Sequence, residues 1–128
     1  MRYLLDTHTF IWFCVNDKRL SLTAREIIKD SKNCIFLSVI SVWEIIIKIS
    51  IGKLRLKIPL NEFIKKALKE YDFRILNLSL SHVFVLEDLP YFHKDPFDRI
   101  LVSQAIVEDL IIITQDNFIP KYKVKTIW

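Results

Sequence analysis

The chain has 128 residues, of which 52% are hydrophobic and 27% charged, so residues 1–128 are expected to fold as one domain rather than remain disordered. The only glycine is Gly52, which excludes the glycine-rich phosphate loops of nucleotide-binding folds. The net charge of +4 is a mild bias toward polyanions, and it fits ordinary solubility equally well.

Compartment and membrane association are also constrained by the sequence. The two cysteines, Cys14 and Cys34, lie in apolar surroundings without a metal-binding spacing, so we expect free thiols in a reducing cytoplasm. The apolar stretch at the N-terminus is too short for a signal peptide. The most hydrophobic segment, residues 45–51, is interrupted by Lys48 and is too short to span a bilayer.

The first half of the chain alternates short apolar runs with helical patterns. Residues 3–5 and 34–37 predict buried strands, and residues 10–13 predict a buried helix. Either Ser21 or Thr23 can cap the next helix, and Thr23 with Glu26 matches a capping box.

The isoleucine-rich segment 38–51 is ambiguous, because isoleucine favours strands by propensity. We predict a helix here, since Ser38 and Ser41 are good N-caps and Gly52 followed by Lys53 is typical of a helix end.

The second half continues the alternation. An amphipathic pattern predicts a helix over 60–71, a strand is expected over 73–78, and Ser79 or Ser81 can cap a helix that ends near residues 89–90. Asp95 before Pro96 predicts an N-cap and first helical position, with the helix continuing to residue 107. Strands are expected at 110–113 and 123–127, and the alternation predicts an α/β sandwich around a mostly parallel sheet.

Four acidic residues are predicted to meet at one edge of this sheet. Asp6 and Asp116 follow predicted strands, whereas Glu44 and Asp98 lie near the beginnings of helices. Carboxyl ends of parallel strands and the helices that follow them share one edge, where ligands bind. Clustered carboxylates without cysteine ligands favour a hard cation, magnesium or manganese, which can activate water for attack on a phosphodiester.

Each of the four acids also has a purely structural interpretation. Asp6 could be a turn residue, and Glu44 could complete a capping box with Ser41. Asp98 could simply stabilise the positive end of a helix dipole, and Asp116 could begin a turn before Phe118. Any one of these alternatives is ordinary, but all four acids facing one edge favours a metal site.

Four motifs, in order along essentially the whole chain, resemble the VapC toxin branch of the PIN-domain family. They are Asp6-Thr7-His8 with Trp12; Ser38-x-x-Ser41-x-Trp43-Glu44-x-x-x-Lys48 followed by Gly52-Lys53-Leu54; His93-x-Asp95-Pro96-Phe97-Asp98-Arg99-x-Leu101-x-x-Gln104-Ala105; and Thr114-x-Asp116. The resemblance implies a PIN-like three-layer sandwich and a magnesium- or manganese-dependent endoribonuclease. It also implies the toxin of a type II toxin–antitoxin pair, commonly a homodimer neutralised by a cognate antitoxin.

Carried over to this chain, the resemblance implies that Asp6 and Asp98 are the main metal ligands. Glu44 and Asp116 would complete the shell, partly through water, and Thr114 would support it by a hydrogen bond. Asp95 is an alternative to Asp98 as the acid of the third motif. We prefer Asp98, because its position just before Ile100-Leu101 fits that motif.

The basic residues near the motifs have two interpretations each. Arg99 could pair with an acid of the quartet or contact a phosphate, and we expect the pairing. Lys48 and Lys53 could contact the RNA backbone, although solvated charges are the default. His8 and His93 are expected to flank the site rather than to bind the metal, because a hard cation prefers oxygen.

Two other functions are compatible with parts of the pattern. A phosphatase resembling haloacid dehalogenases would need a second Asp where His8 stands. A catalytically inert PIN scaffold that acts by binding protein or RNA is also possible, although the complete quartet argues against it. Cleavage of RNA that depends on a metal ion distinguishes the enzyme from the scaffold.

Overall fold

The computed structural model describes residues 1–128 and contains five strands, six α-helices and one 3-10 helix. In chain order they are β1 (Arg2–Leu5), α1 (Thr7–Cys14), α2 (Leu22–Lys29), β2 (Cys34–Ser38), α3 (Val39–Ser50), α4 (Leu60–Tyr71), β3 (Arg74–Leu76), α5 (Leu80–Val85), α6 (Pro96–Glu108), β4 (Ile111–Ile113), the 3-10 helix Ile119–Lys121 and β5 (Thr126–Ile127). The predicted α/β class is confirmed. No helix has both the length and the hydropathy needed to cross a bilayer.

All five strands are parallel, in the order β3-β2-β1-β4-β5. The chain adds β2 and β3 on one side of β1 and then crosses to place β4 and β5 on the other side. The strand order therefore reverses between β1 and β4. In parallel sheets the crevice beyond the carboxyl ends of such a strand pair is the usual ligand site.

Helices cover both faces of the sheet, which confirms the three-layer arrangement. Alternate residues of β1 point to opposite faces, as the two-residue period of a strand requires. Tyr3 and Leu5 join a core with Phe10 and other residues of α1, α2 and α4, whereas Leu4 packs in a second core with Leu101 and neighbours on α6. The central strands of the sheet are therefore covered by helices on both faces.

The isoleucine-rich segment forms helix α3, as predicted from its ends. The Ser38 side chain accepts a hydrogen bond from the Ile40 amide at 3.1 Å, and Gly52 follows the helix with a φ of +77°, a conformation that glycine adopts without strain. Ser41 does not cap the helix but lies buried inside it. The local capping signals therefore outweigh the strand propensity of isoleucine.

The structure decides between the two capping alternatives left open at α2 and at α5, and it shortens three predicted elements, α5, β3 and β5. Helix α2 begins at Leu22 with Ser21 as its cap, so Thr23 lies inside the first turn and forms no capping box. Ser79 rather than Ser81 caps α5, which ends at Val85. Strands β3 and β5 are shorter than the predicted ranges 73–78 and 123–127, because the backbone pairs with β2 only over Arg74–Leu76 and with β4 only over Thr126–Ile127.

Candidate active site

Asp6 lies at the carboxyl end of β1 and is the N-cap of α1. Its Oδ1 accepts a hydrogen bond from the Thr9 amide at 2.8 Å, and its Oδ2 accepts one from the Thr114 hydroxyl beyond β4. The residue is 6% exposed. Asp6 is thus held in the crevice between β1 and β4, where the strand order reverses.

Thr114 connects Asp6 to Asp116. While its hydroxyl donates to Asp6, it accepts a hydrogen bond from the Asp116 amide at 3.0 Å. Asp116 Oδ1 in turn accepts from the amides of Phe118 and Ile119 at 2.6 and 3.0 Å. The expected turn at Asp116 therefore exists, and it uses one carboxylate oxygen and leaves the other available to the crevice.

Asp98 enters the same crevice from the first turn of α6. The Asp95 side chain caps this helix by accepting from the amides of Phe97 and Asp98, at 2.9 and 3.1 Å. Asp98 Oδ2 lies 3.1 Å from His93 Nε2. One potential ligand atom from each of His93, Asp98 and Asp116 falls within 4.8 Å of the others.

The charges at this crevice strongly affect Asp98. Its pKa is raised from 3.8 to about 7, chiefly by burial and then by the negative charge of Asp95, with further contributions from Asp116 and Asp6. The hydrogen bond from His93 acts in the opposite direction. A bound cation would remove this electrostatic penalty, and carboxylate oxygens are the ligands that hard divalent cations prefer.

Glu44 lies in the second turn of α3 and is positioned by hydroxyl groups. Thr7, the neighbour of Asp6, donates a hydrogen bond to Glu44 Oε1 at 2.7 Å, and Ser41 Oγ lies 3.0 Å from the same hydroxyl. Because Ser41 is not the N-cap, the capping-box interpretation of Glu44 is wrong. Glu44 makes no hydrogen bond to the other three acids, and Thr7, which holds it, is the neighbour of Asp6 in the chain.

The expected pairing of Arg99 with an acid of the quartet is wrong. Arg99 is buried, and its guanidinium donates to the backbone oxygens of Leu89 and Pro90 and to the Tyr122 hydroxyl. It also stacks on the Tyr91 ring at 3.7 Å. Arg99 therefore anchors the loop before α6 rather than neutralising a carboxylate.

The two lysines singled out in the sequence differ in their surroundings. Lys48 Nζ lies 3.8 Å from Glu44 Oε2, one helical turn away on α3. Lys53 is exposed beyond the end of that helix and forms no ion pair. Only Lys48 is thus connected to the acidic group.

Sequence reasoning missed Thr7 and Tyr122, which orient Glu44 and His93. Thr7 could have been identified, since a hydroxyl next to a strand-end Asp is well placed to support a second acid. The partnership of Tyr122 with His93 spans 29 residues and has no local signal.

Comparisons with known proteins identify the family. The family profile described as "PIN domain" matches residues 3–125. The fold is similar to VapBC2 from Rickettsia felis bound to a DNA fragment from its promoter (TM-score 0.73, 17% identity, 100% of this chain and 99% of that chain), and to FitAcB from Neisseria gonorrhoeae (TM-score 0.66, 18% identity, 100% and 97%). A domain of a functionally unknown protein from Methanocaldococcus jannaschii is also similar (TM-score 0.55, 16% identity, 99% and 89%).

No curated protein matches the sequence. The profile match nevertheless covers nearly the whole chain, and the parallel sheet with helices on both faces agrees with it. The acidic crevice between β1 and β4 lies where this fold is expected to bind ligands. The chain belongs to the PIN domain family.

Proposed function

We propose that this protein is a metal-dependent endoribonuclease that hydrolyses RNA phosphodiester bonds. The observation that carries the proposal is the approach of Asp98 and Asp116, whose ligand atoms lie within 4.8 Å of each other and of His93. Burial and the negative charges of Asp95, Asp116 and Asp6 raise the pKa of Asp98 to about 7. PIN domains are generally nucleases that use divalent metal ions. Such a site is unfavourable without a cation and becomes favourable with one.

The proposed ligands of a Mg²⁺ or Mn²⁺ ion are carboxylate oxygens. Asp6 and Asp98 would be the main ligands, and Glu44 and Asp116 would complete the shell, partly through water. Thr114 supports Asp6, and Asp95 supports the first turn of α6. A bound divalent cation acidifies water and offsets the negative charge that develops on a phosphate during hydrolysis.

Glu44 and Asp116 are the residues proposed to help orient or deprotonate the attacking water. Glu44 Oε1 is held by Thr7, whereas its Oε2 faces Lys48 at 3.8 Å. We propose that Lys53 contacts the RNA backbone and that Lys48 does so when its weak ion pair with Glu44 opens.

We further propose that the protein is the toxin of a type II toxin–antitoxin pair in the cytoplasm. The similar structures carry the names VapBC2 and FitAcB, and one of them is bound to promoter DNA. A cognate antitoxin protein is therefore the proposed partner, with RNA as the substrate.

A homodimer is proposed on a separate observation. Helix α3 exposes three large apolar side chains on neighbouring turns, those of Trp43, Ile46 and Ile49. Exposed apolar side chains grouped in this way are typical of association sites. Ile46→Lys should shift the protein from dimer to monomer in analytical ultracentrifugation, whereas the exposed Leu22→Lys change on α2 should not; a wild-type monomer would exclude the dimer.

The experiment that tests the enzyme is cleavage of total RNA and single transcripts by the purified protein with Mg²⁺ or Mn²⁺. We expect cleavage that a chelator stops and that Asp98→Asn abolishes. Asp88→Asn removes an exposed carboxylate outside the crevice and is the matched control, expected to cleave at the wild-type rate.

Absence of cleavage with both metals would favour the inert PIN scaffold that binds protein or RNA. Equal cleavage by the Asp98→Asn and wild-type proteins would instead show that the acidic crevice is not the active site.

A further inference from the structure

The His93 ring lies between Asp98 and Tyr122. Its Nε2 is 3.1 Å from Asp98 Oδ2, and its Nδ1 is 2.8 Å from the Tyr122 hydroxyl. The ring stacks on Phe118 with the planes 11° apart, and the side chain is 12% exposed. Which nitrogen carries the hydrogen decides whether His93 can bind a metal ion at Nε2 or instead donates to Asp98.

The Tyr122 hydroxyl has a single hydrogen and three neighbours. Arg99 Nη1 lies 3.1 Å away and can only donate, so the Tyr122 oxygen accepts from it. The hydroxyl hydrogen can then go to His93 Nδ1 at 2.8 Å or to the His93 carbonyl at 3.5 Å. The shorter contact is favoured, which makes Nδ1 an acceptor.

The Asp98 end of the ring requires the same arrangement whenever the Asp98 carboxylate is ionised, as it must be to bind a cation. When Nδ1 accepts, Nε2 carries the hydrogen and donates to Asp98 Oδ2. The opposite neutral tautomer would direct a nitrogen lone pair at the carboxylate and leave the Tyr122 hydrogen with the longer contact. A protonated imidazole also keeps a hydrogen on Nε2, so both favoured states donate to Asp98.

Arg99 makes this arrangement rigid. It is 5% exposed and is held by the carbonyl oxygens of Pro90 and Leu89, at 2.6 and 3.1 Å, and by stacking on Tyr91. An arginine stays protonated, so Arg99 always donates to the Tyr122 oxygen and the hydroxyl hydrogen must point to another acceptor. Arg99 therefore does not pair with an acid of the quartet but acts on Asp98 through the side chains of Tyr122 and His93.

We propose that His93 is a positioning residue that holds the Asp98 carboxylate through Nε2–H, under the control of Tyr122 and Arg99, so that the protein ligands of the cation are oxygen atoms only. The proposal rests on the metal-dependent nuclease function proposed above. It predicts a site that selects hard cations, because the one nearby nitrogen has no lone pair to offer.

Nuclear magnetic resonance can test the tautomer directly. The chain has three histidines, so a long-range ¹H–¹⁵N spectrum of the metal-free protein is simple, and the signal lost in His93→Gln identifies His93. The spectrum is recorded at pH 8.5, above the pKa of Asp98, so that the carboxylate is ionised. We expect a protonated Nε2 in the wild type and a mixture of tautomers in Tyr122→Phe. A wild-type ring protonated on Nδ1 alone would overturn the proposal.

Pulsed electron paramagnetic resonance of the Mn²⁺-loaded protein tests the ligand set. We expect no coupling from a directly bound imidazole nitrogen, and such a coupling would overturn the proposal. Failure to bind Mn²⁺ would overturn both this proposal and the nuclease. Binding without any cleavage of RNA would overturn only the nuclease, because the tautomer and the ligand set would still stand.

Matched variants test the effect of positioning on function. His93→Gln keeps an N–H near the position of Nε2, whereas His93→Ala has none. We expect His93→Ala to weaken Mn²⁺ binding and to lower kcat about 10- to 100-fold with little change in KM, and His93→Gln to restore much of both. Equal losses in the two variants, at equal thermal stability, would contradict a positioning role.

Discussion

Asp98→Asn should make the metal-free protein more stable at alkaline pH while it removes activity. Ionising Asp98 in the folded chain is unfavourable because the carboxylate is buried and faces Asp95, Asp116 and Asp6. The amide removes that charge with little change in shape, and its oxygen can still accept from His93 Nε2. The ionised Asp98 therefore destabilises the metal-free wild-type protein, and a bound cation would remove that cost.

The raised pKa of Asp98 gives the size and the sign of the expected change in the free energy of unfolding. A rise from 3.8 to about 7 corresponds to about 4 kcal/mol, an upper bound because the side chain is still 19% exposed. Since the folded-state pKa lies above the unfolded value, the penalty is absent below pH 4 and complete above pH 7. We expect the variant to gain about 2 to 4 kcal/mol at pH 8.5 and little near pH 4.

Urea denaturation of the chelated proteins between pH 4.5 and 8.5 measures this difference. Asp88→Asn, which removes an exposed acid outside the crevice, should follow the wild type at every pH. Mg²⁺ should then stabilise the wild type and leave Asp98→Asn nearly unchanged. A variant that is no more stable than wild type at pH 8.5 would refute the electrostatic argument.

Three further predictions concern metal binding, the support of Asp6 and the free thiols. Calorimetry should show Mg²⁺ binding that strengthens about tenfold from pH 6 to 8, because Asp98 must lose a proton whose pKa is about 7; binding independent of pH would contradict this. Thr114→Val should lower the free energy of unfolding in urea by about 1 to 3 kcal/mol and impair cleavage, because the hydroxyl that bonds the Asp6 carboxylate and the Asp116 amide is removed. Thr114→Ser keeps the hydroxyl and should retain wild-type stability and cleavage. Burial and the negative charge of Glu70 raise the pKa of the half-buried Cys14 to about 12, so Cys34→Ser protein should react with a disulfide reagent at pH 8 far more slowly when native than when unfolded. Equal labelling rates for the native and unfolded variant would contradict this.

Local signals in the sequence were sufficient for the elements that hold the acids. Asp95-Pro96 marks the beginning of α6, and Ser38 and Gly52 mark the ends of α3, because caps act within one turn and need no tertiary partner. The positions of Asp6 and Asp98 at element ends follow from these signals. Where capping alternatives were close together, as at Ser21 and Thr23, the local pattern did not choose between them.

Only the tertiary structure decided which atoms the crevice brings together. The reversal of strand order between β1 and β4 places Thr114 against Asp6, 108 residues apart, and sequence periodicity carries no information about that pairing. The same holds for Arg99, whose burial beside Leu89 and Tyr122 satisfies its charge by carbonyl and hydroxyl oxygens instead of an acid. The sequence by itself determined the types of side chain and their places on strand and helix ends. Their hydrogen-bond partners depended on packing between distant segments, because a buried polar group takes whichever partner the fold brings within reach.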